Sequence, residues 1–221
     1  MKKLLKPCTI LLLLGLCVAV YSKALYLKKF TFDEEKALKK WKKMVLNGEV
    51  EYKLIKAGEK GYIHALSESS CSALYYTVVF RLKSYPILKW KWRILRFPDI
   101  SKARTDEERD DYAARVYVIF PFLNFSSSRF LEYIWAENIP TETVIDSPFS
   151  DNVKLIVVRS GREPEGEWAS ETRNVYEDYA RAFGEKSRLH PGAIAIMCDA
   201  DSTKTSAESL FDDIVIESES P

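Results

Sequence analysis

Histidine is nearly missing from this 221-residue chain, with His64 and His190 the only two. A histidine-based triad would have to be assembled from one residue in a predicted strand and one in a loop before Pro191. Glycine is sparse at 8 residues, and none forms a phosphate-binding loop. The G-x-S-x-G elbow, the H-E-x-x-H helix and cysteine pairs at zinc spacing are also missing. Neither sign of charge dominates: 33 basic residues stand against 32 acidic ones, a balance that argues against nucleic-acid binding. There is no internal repeat and no low-complexity segment.

Four cysteines are present, two of them, Cys8 and Cys17, near the start. That start reads as a positive Met1-Lys2-Lys3-Leu4-Leu5-Lys6, an uncharged run from Thr9 to Tyr21, and a small-x-small site at Ser22-Lys23-Ala24. The run is shorter than the ~20 apolar residues of a membrane-spanning helix, so the first expectation is export with cleavage after Ala24. An uncleaved inner-membrane anchor is the second, and it would be the chain's one membrane contact. Leu16 before Cys17 disfavours a lipoprotein. Cleavage would remove four lysines and leave 29 basic against 32 acidic residues. Cys71 and Cys198 would then remain, to form one disulfide or to stay as two buried thiols.

With 47% apolar residues the chain can bury one core, so residues 25–217 are expected to form a single domain ahead of a frayed tail, 218–221. Helical spacing of Ala37, Leu38, Trp41, Met44 and Val45 predicts an amphipathic helix over Asp33 to Leu46, with a lysine cluster on its outer face. Beyond it the period changes to two over Glu49–Ala57, Tyr62–Leu66, Ala73–Leu82, Ile87–Leu95, Tyr112–Phe120, Leu131–Ala136, Val153–Arg159, Ala193–Cys198 and Ile214–Glu217. A second helix is predicted over Ser170 to Phe183, stopped by Gly184. Successive strands without intervening helices predict a mainly β fold, a two-sheet antiparallel sandwich with an N-terminal helix and one inserted helix. Three long connections, 96–109, 121–130 and 163–192, are where such a scaffold would place specificity.

The stretch Asp110 to Phe120, DDYAARVYVIF, organises the functional reading. As a strand it turns Ala114, Val116, Val118 and Phe120 one way and Arg115, Tyr117 and Ile119 the other. The second set is either a bland cross-strand pairing or a recognition surface. Trp90 and Trp92 share a face of one strand, with Lys91 and Arg93 on its reverse. If the indoles are core, then Lys91, Arg93, Arg115, Tyr117 and Arg159 line an open face suited to an acidic or hydroxylated ligand. If they are not, Trp135 and Tyr133 extend a sugar-stacking platform.

Asp199, Asp201 and Thr203 alternate oxygen donors as a calcium loop does, but without its glycine or distal glutamate. Turn capping is the reading favoured over a calcium loop, and it is also the one favoured for Asp110 and Asp111. No strand shows paired acids on one face, so a polysaccharide hydrolase or lyase would have to draw its acid and base from Asp110, Asp111 or Glu177.

Trp90-Lys91-Trp92-Arg93, Asp110–Tyr117, Val157–Gly161, Arg173–Tyr179 with Ala182-Phe183-Gly184, and Asp199-Ala200-Asp201 together resemble a bacterial family of exported proteins of unknown function. That resemblance implies a jelly-roll-like sandwich similar to carbohydrate-binding modules. The expectation is therefore an extracytoplasmic, periplasmic or secreted, non-catalytic module that binds a glycan or another envelope component. Its cofactors would be none, or a structural calcium. The rival expectations are an envelope polysaccharide hydrolase or lyase and a structural protein-interaction domain.

Overall fold

The structure, a computed structural model, describes residues 26–162 and 166–219. The leader expectation for residues 1–24 lies outside them, as does the end of the tail. No helix among the described residues is long and apolar enough to cross a membrane.

Two sheets face each other. The first comprises β1 (Tyr26–Phe30), β3 (Glu51–Ala57), β4 (Lys60–Glu68), β6 (Ile87–Arg96), β11 (Ala169–Asn174) and β13 (Ser206–Glu217), in the order β11-β6-β13-β4-β3. Strand β13 changes partner along its length. Its first half pairs with β4, and after an irregularity at Asp212–Asp213 its second half pairs with β1. The second sheet runs β2 (Lys42–Asn47), β5 (Cys71–Thr77), β12 (Ala193–Asp199), β7 (Arg115–Phe120), β8 (Arg129–Ala136), β10 (Ser150–Ser160) and β9 (Val144–Ser147). Its pairs are antiparallel except β8 with β10, which the all-antiparallel expectation did not include.

Alternation fills the space between the sheets. Leu88, Trp90, Trp92 and Ile94 of β6 meet Leu131, Tyr133 and Trp135 of β8 in one apolar core. Trp90 stacks on Tyr133 at 5.2 Å, and Trp92 tilts against Trp135 at 5.9 Å. The indoles are therefore core rather than platform, and each large apolar side chain so buried contributes roughly 1.5–3 kcal/mol.

The helix predicted over Asp33 to Leu46 is not formed. Residues 34–40 are tight turns closed by Ala37 N to Glu34 O and Lys39 N to Lys36 O, both 3.0 Å, and β2 follows. Tertiary packing outweighs the helical spacing: Trp41 lodges among Phe30, Phe32 and Tyr76, while Lys42 to Asn47 pair with β5. The inserted helix exists but starts later, as α2 (Val175–Phe183) after the short α1 (Asp106–Arg109). Asn174 Oδ1 accepts from the amides of Tyr176 and Glu177 and caps α2, and Gly184 ends it in the left-handed conformation. Residues 170–174, expected to be helical, instead belong to β11 and extend the first sheet against β6.

Candidate functional site

On β7 the alternation holds: Val116, Val118 and Phe120 enter the main core, and Arg115 and Tyr117 leave by the opposite face of the sheet. The same outer face receives Cys71 and Ala73 from β5, Ala195 and Met197 from β12, and Phe130 and Glu132 from β8. The methyl side chains of Ala73 and Ala195 leave a hollow between larger neighbours. Adjoining loops raise its walls into a pocket of about 480 Å³, the size that suits a small ligand.

Its rim is aromatic and aliphatic. Leu46 of β2, Phe125 of the β7–β8 connection and Phe149 of the β9–β10 turn are 57%, 59% and 65% exposed there, so their rings and methyls meet solvent. The Phe125 loop is held in place. Asn124 Oδ1 accepts from Ser126 Oγ (2.8 Å) and Ser127 N (2.9 Å), and Asn152 Nδ2 donates to Ser126 O at 2.9 Å. Phe125 also meets Phe130 edge-on at 5.2 Å. Ser126, Ser147, Ser150 and Ser202 add hydroxyl-bearing side chains to the walls.

One end of the pocket is a buried charge cluster. Arg115 Nε donates to Asp199 Oδ1 at 3.0 Å and Nη2 to Oδ2 at 2.6 Å, a two-pronged grip. Arg115 Nη1 donates to Glu132 Oε2 at 3.0 Å, and Nη2 also reaches the Asp110 carbonyl and, at 3.5 Å, its carboxylate. The guanidinium lies over the Tyr112 ring at 4.7 Å. Burial opposes the charge of Arg115, but the carboxylates of Asp110 and Asp199 outweigh that and hold it firmly protonated. Burial pushes Glu132 and Asp199 each up to about 7, against the pull of Arg115, and raises Asp110 as well. Tyr117 is buried beside the cluster, with its hydroxyl 3.9 Å from Met197 Sδ.

The other ligand-binding candidates do not join Arg115 and Tyr117. Lys91 and Arg93 point outward from β6, but β6 belongs to the first sheet, so they occupy the far side of the sandwich; Lys91 pairs there with Asp213 at 2.8 Å. Trp135 is core, its Nε1 donating to the Gly161 carbonyl at 2.8 Å. Arg159 covers the Trp135 ring at 5.2 Å and pairs with Glu171 at 2.8 Å. The residues missing from the sequence reading are Phe125 and Phe149. The Phe- and Ser-rich connection over 121–130 signalled the first, and nothing in the periodicity signalled the second.

Of Asp110, Asp111 and Glu177, Asp110 is the one in the pocket wall. Asp111 is buried as a turn cap, accepting from Thr203 N (2.7 Å), Thr203 Oγ1 (2.6 Å) and Ser202 N (3.2 Å). Glu177 is exposed on the first turn of α2. Of the Asp199, Asp201 and Thr203 donors only Thr203 turns away, to serve Asp111; Asp199 and Asp201 stay close to each other, although both oxygens of Asp199 serve Arg115 and Asp201 accepts from Asn47 Nδ2 at 2.8 Å. What comes together instead is Cys71 with Asp199 and Asp201, a set whose thiol does not suit calcium.

Cys71 and Cys198 are both free and buried. Cys71 lies opposite Asp199 and Cys198 opposite Ser72 across the β5–β12 ladder. A one-residue offset turns the two thiols to opposite faces of the sheet, so no disulfide can close.

Fold and pocket define the class of protein: a two-sheet β-sandwich with a ligand-sized hollow on one outer face. The chain belongs to the family described as Protein of unknown function (DUF3047), whose model matches residues 39–215. No curated protein matches its sequence. Among solved structures it is similar to a carbohydrate-binding module, TmCBM27, described for specific mannan recognition, at 8% identity and a TM-score of 0.42 over 89% of this chain and 99% of that one. The CBM22-1 xylan-binding domain of Xyn10C from Paenibacillus barcinonensis matches at 9% identity and 0.44, over 88% and 95% of the two chains. The xyloglucanase domain of NopAA from Sinorhizobium fredii matches at 10% identity and 0.46, over 81% and 93%.

Proposed function

We propose that the protein is an exported, non-catalytic module that binds a saccharide or similar polyhydroxylated envelope component in the pocket on the second sheet. The observation that carries this reading is the pairing of exposed Phe125 and Phe149 at the rim with carboxylate and serine side chains in the walls. Aromatic rings cover the apolar face of a sugar, while carboxylate and hydroxyl oxygens take its hydroxyl protons. The non-catalytic part rests on the acids: Asp111 is committed to a turn, Glu177 lies outside the pocket wall, and Asp110, Glu132 and Asp199 are each paired with Arg115. Export rests on the leader pattern, and protein recovered from its host should then begin at Leu25.

The test is a glycan array followed by calorimetry on the best binder, with Phe125→Ala and Phe149→Ala as variants. Each variant should keep its melting temperature and weaken binding roughly 3- to 10-fold, the scale of a lost aromatic contact. Unchanged affinity in the double variant would move the site elsewhere. A folded protein that binds no glycan would end the saccharide reading.

A further inference from the structure

The charge around the pocket is lopsided. Among the residues that line it, Asp110, Glu132, Asp199 and Asp201 are four acids, and Arg115 is the one cation. Asp199 alone satisfies two guanidinium nitrogens, so Glu132 and Asp110 divide what remains and Asp201 has only the Asn47 amide. The expectation from basic residues is an acidic or hydroxylated ligand, and its acidic part needs free cations. With Lys91 and Arg93 on the other sheet and Arg115 encircled, the geometry reverses it.

We infer that the pocket selects a saccharide bearing a protonated amine, seated with the amine toward Asp110 and Asp201 and the ring against Phe125 and Phe149. This rests on the saccharide reading above and adds its charge. An ammonium group brings three donors and a positive charge to a wall with surplus carboxylates, where each charge-assisted hydrogen bond counts for more than a neutral one. A uronic acid would bring a further acid to a wall whose one cation is already engaged, and be disfavoured. The partly buried position of Asp110, beside Arg115 at the deep end, limits the solvent screening that cancels surface charge pairs.

Three probes separate the outcomes: a glucosamine tetramer, its fully N-acetylated counterpart, and a galacturonate tetramer, each titrated calorimetrically at neutral pH. The amine tetramer should bind about tenfold or more tightly than the acetylated one, the difference one strong charge-assisted bond makes. The uronate should give no heat. Asp201→Asn and Asp110→Asn, checked for folding by circular dichroism, should each shrink the gap between the first two probes, and salt should shrink it further. Equal or tighter binding of the acetylated tetramer would overturn the amine inference and leave saccharide binding standing. No binding by any of the three, joined with a silent glycan array, would overturn both.

Discussion

Arg115 and Asp199 are joined by two parallel hydrogen bonds, 3.0 and 2.6 Å, between adjacent strands of the second sheet at one end of its pocket. The pair gives the pocket its rigid deep end. Four of the five N–H groups of the guanidinium are given to protein acceptors, so its first role is to hold β7, β8 and β12 in register through Asp110, Glu132 and Asp199.

Removing the cation should therefore damage the fold before it damages recognition. Arg115→Ala leaves three carboxylates facing one another out of water, and a loss of about 3–5 kcal/mol in urea denaturation is expected. Lysine cannot reproduce the fork, so Arg115→Lys should recover only part of it. Deleting the acids with the cation, as Arg115→Met with Glu132→Gln and Asp199→Asn, should recover most of the loss. An Arg115→Ala protein as stable as the parent would contradict the network.

The same cluster sets a pH dependence. Glu132 and Asp199 are raised in the folded protein to about 7, so between their unfolded values and about 7 the folded state holds more protons than the unfolded one. Their contribution is fully present below the unfolded values and fades as pH climbs through about 7. Melting temperature should accordingly fall between about pH 5 and pH 8, the window those raised values define. Glu142, held down to about 2 chiefly by its hydrogen bond from Arg173, is ionised throughout that window and adds no slope to it. Glu132→Gln should flatten the profile; a flat parent profile would refute the assignment.

Cys71 opens on the pocket wall whereas Cys198 is core, so the two thiols should differ in access. In native protein a small maleimide should modify Cys71 slowly and Cys198 only after denaturation. Bound ligand should slow Cys71 further. Burial raises both thiols above the ordinary cysteine value, so neither is a ready thiolate. Equal labelling of both in the folded state would contradict their placement on opposite faces.

A backbone contact far from the pocket offers an independent check of the fold. A Cβ at Gly61 would lie 2.0 Å from the Phe32 carbonyl oxygen, at the point where Asp33 Oδ1 accepts from Gly61 N at 2.9 Å. Gly61→Ala should cost about 1–3 kcal/mol, the usual scale of overpacking, while leaving pocket ligands unaffected. Gly58, whose added Cβ would meet nothing, has a φ of +68° and is a control for backbone strain alone.

Period and parity made the strands legible. The outward turn of Arg115 and Tyr117, the core position of the tryptophans, the sandwich and the Gly184 stop all follow from alternation and capping. Parity tells inside from outside but not which sheet a strand joins, and that is why Lys91 and Arg93 could be grouped with Arg115 although they lie across the core from it. Asp199 meets Arg115 from 84 residues away, a long-range pairing that no local pattern encodes. The missing first helix is a further case: Trp41 and Met44 have helical spacing, but the aromatic cluster around Phe30 and the free edge of β5 claimed them.

The most direct test of the pocket is to map a bound sugar on the protein by two-dimensional nuclear magnetic resonance. The best binder from the array should shift signals of Phe125, Phe149, Tyr117, Met197 and Ser202 and leave Lys91, Arg93 and Tyr62 on the other sheet in place. Shifts confined to the first sheet, with the pocket unmoved, would contradict the assignment.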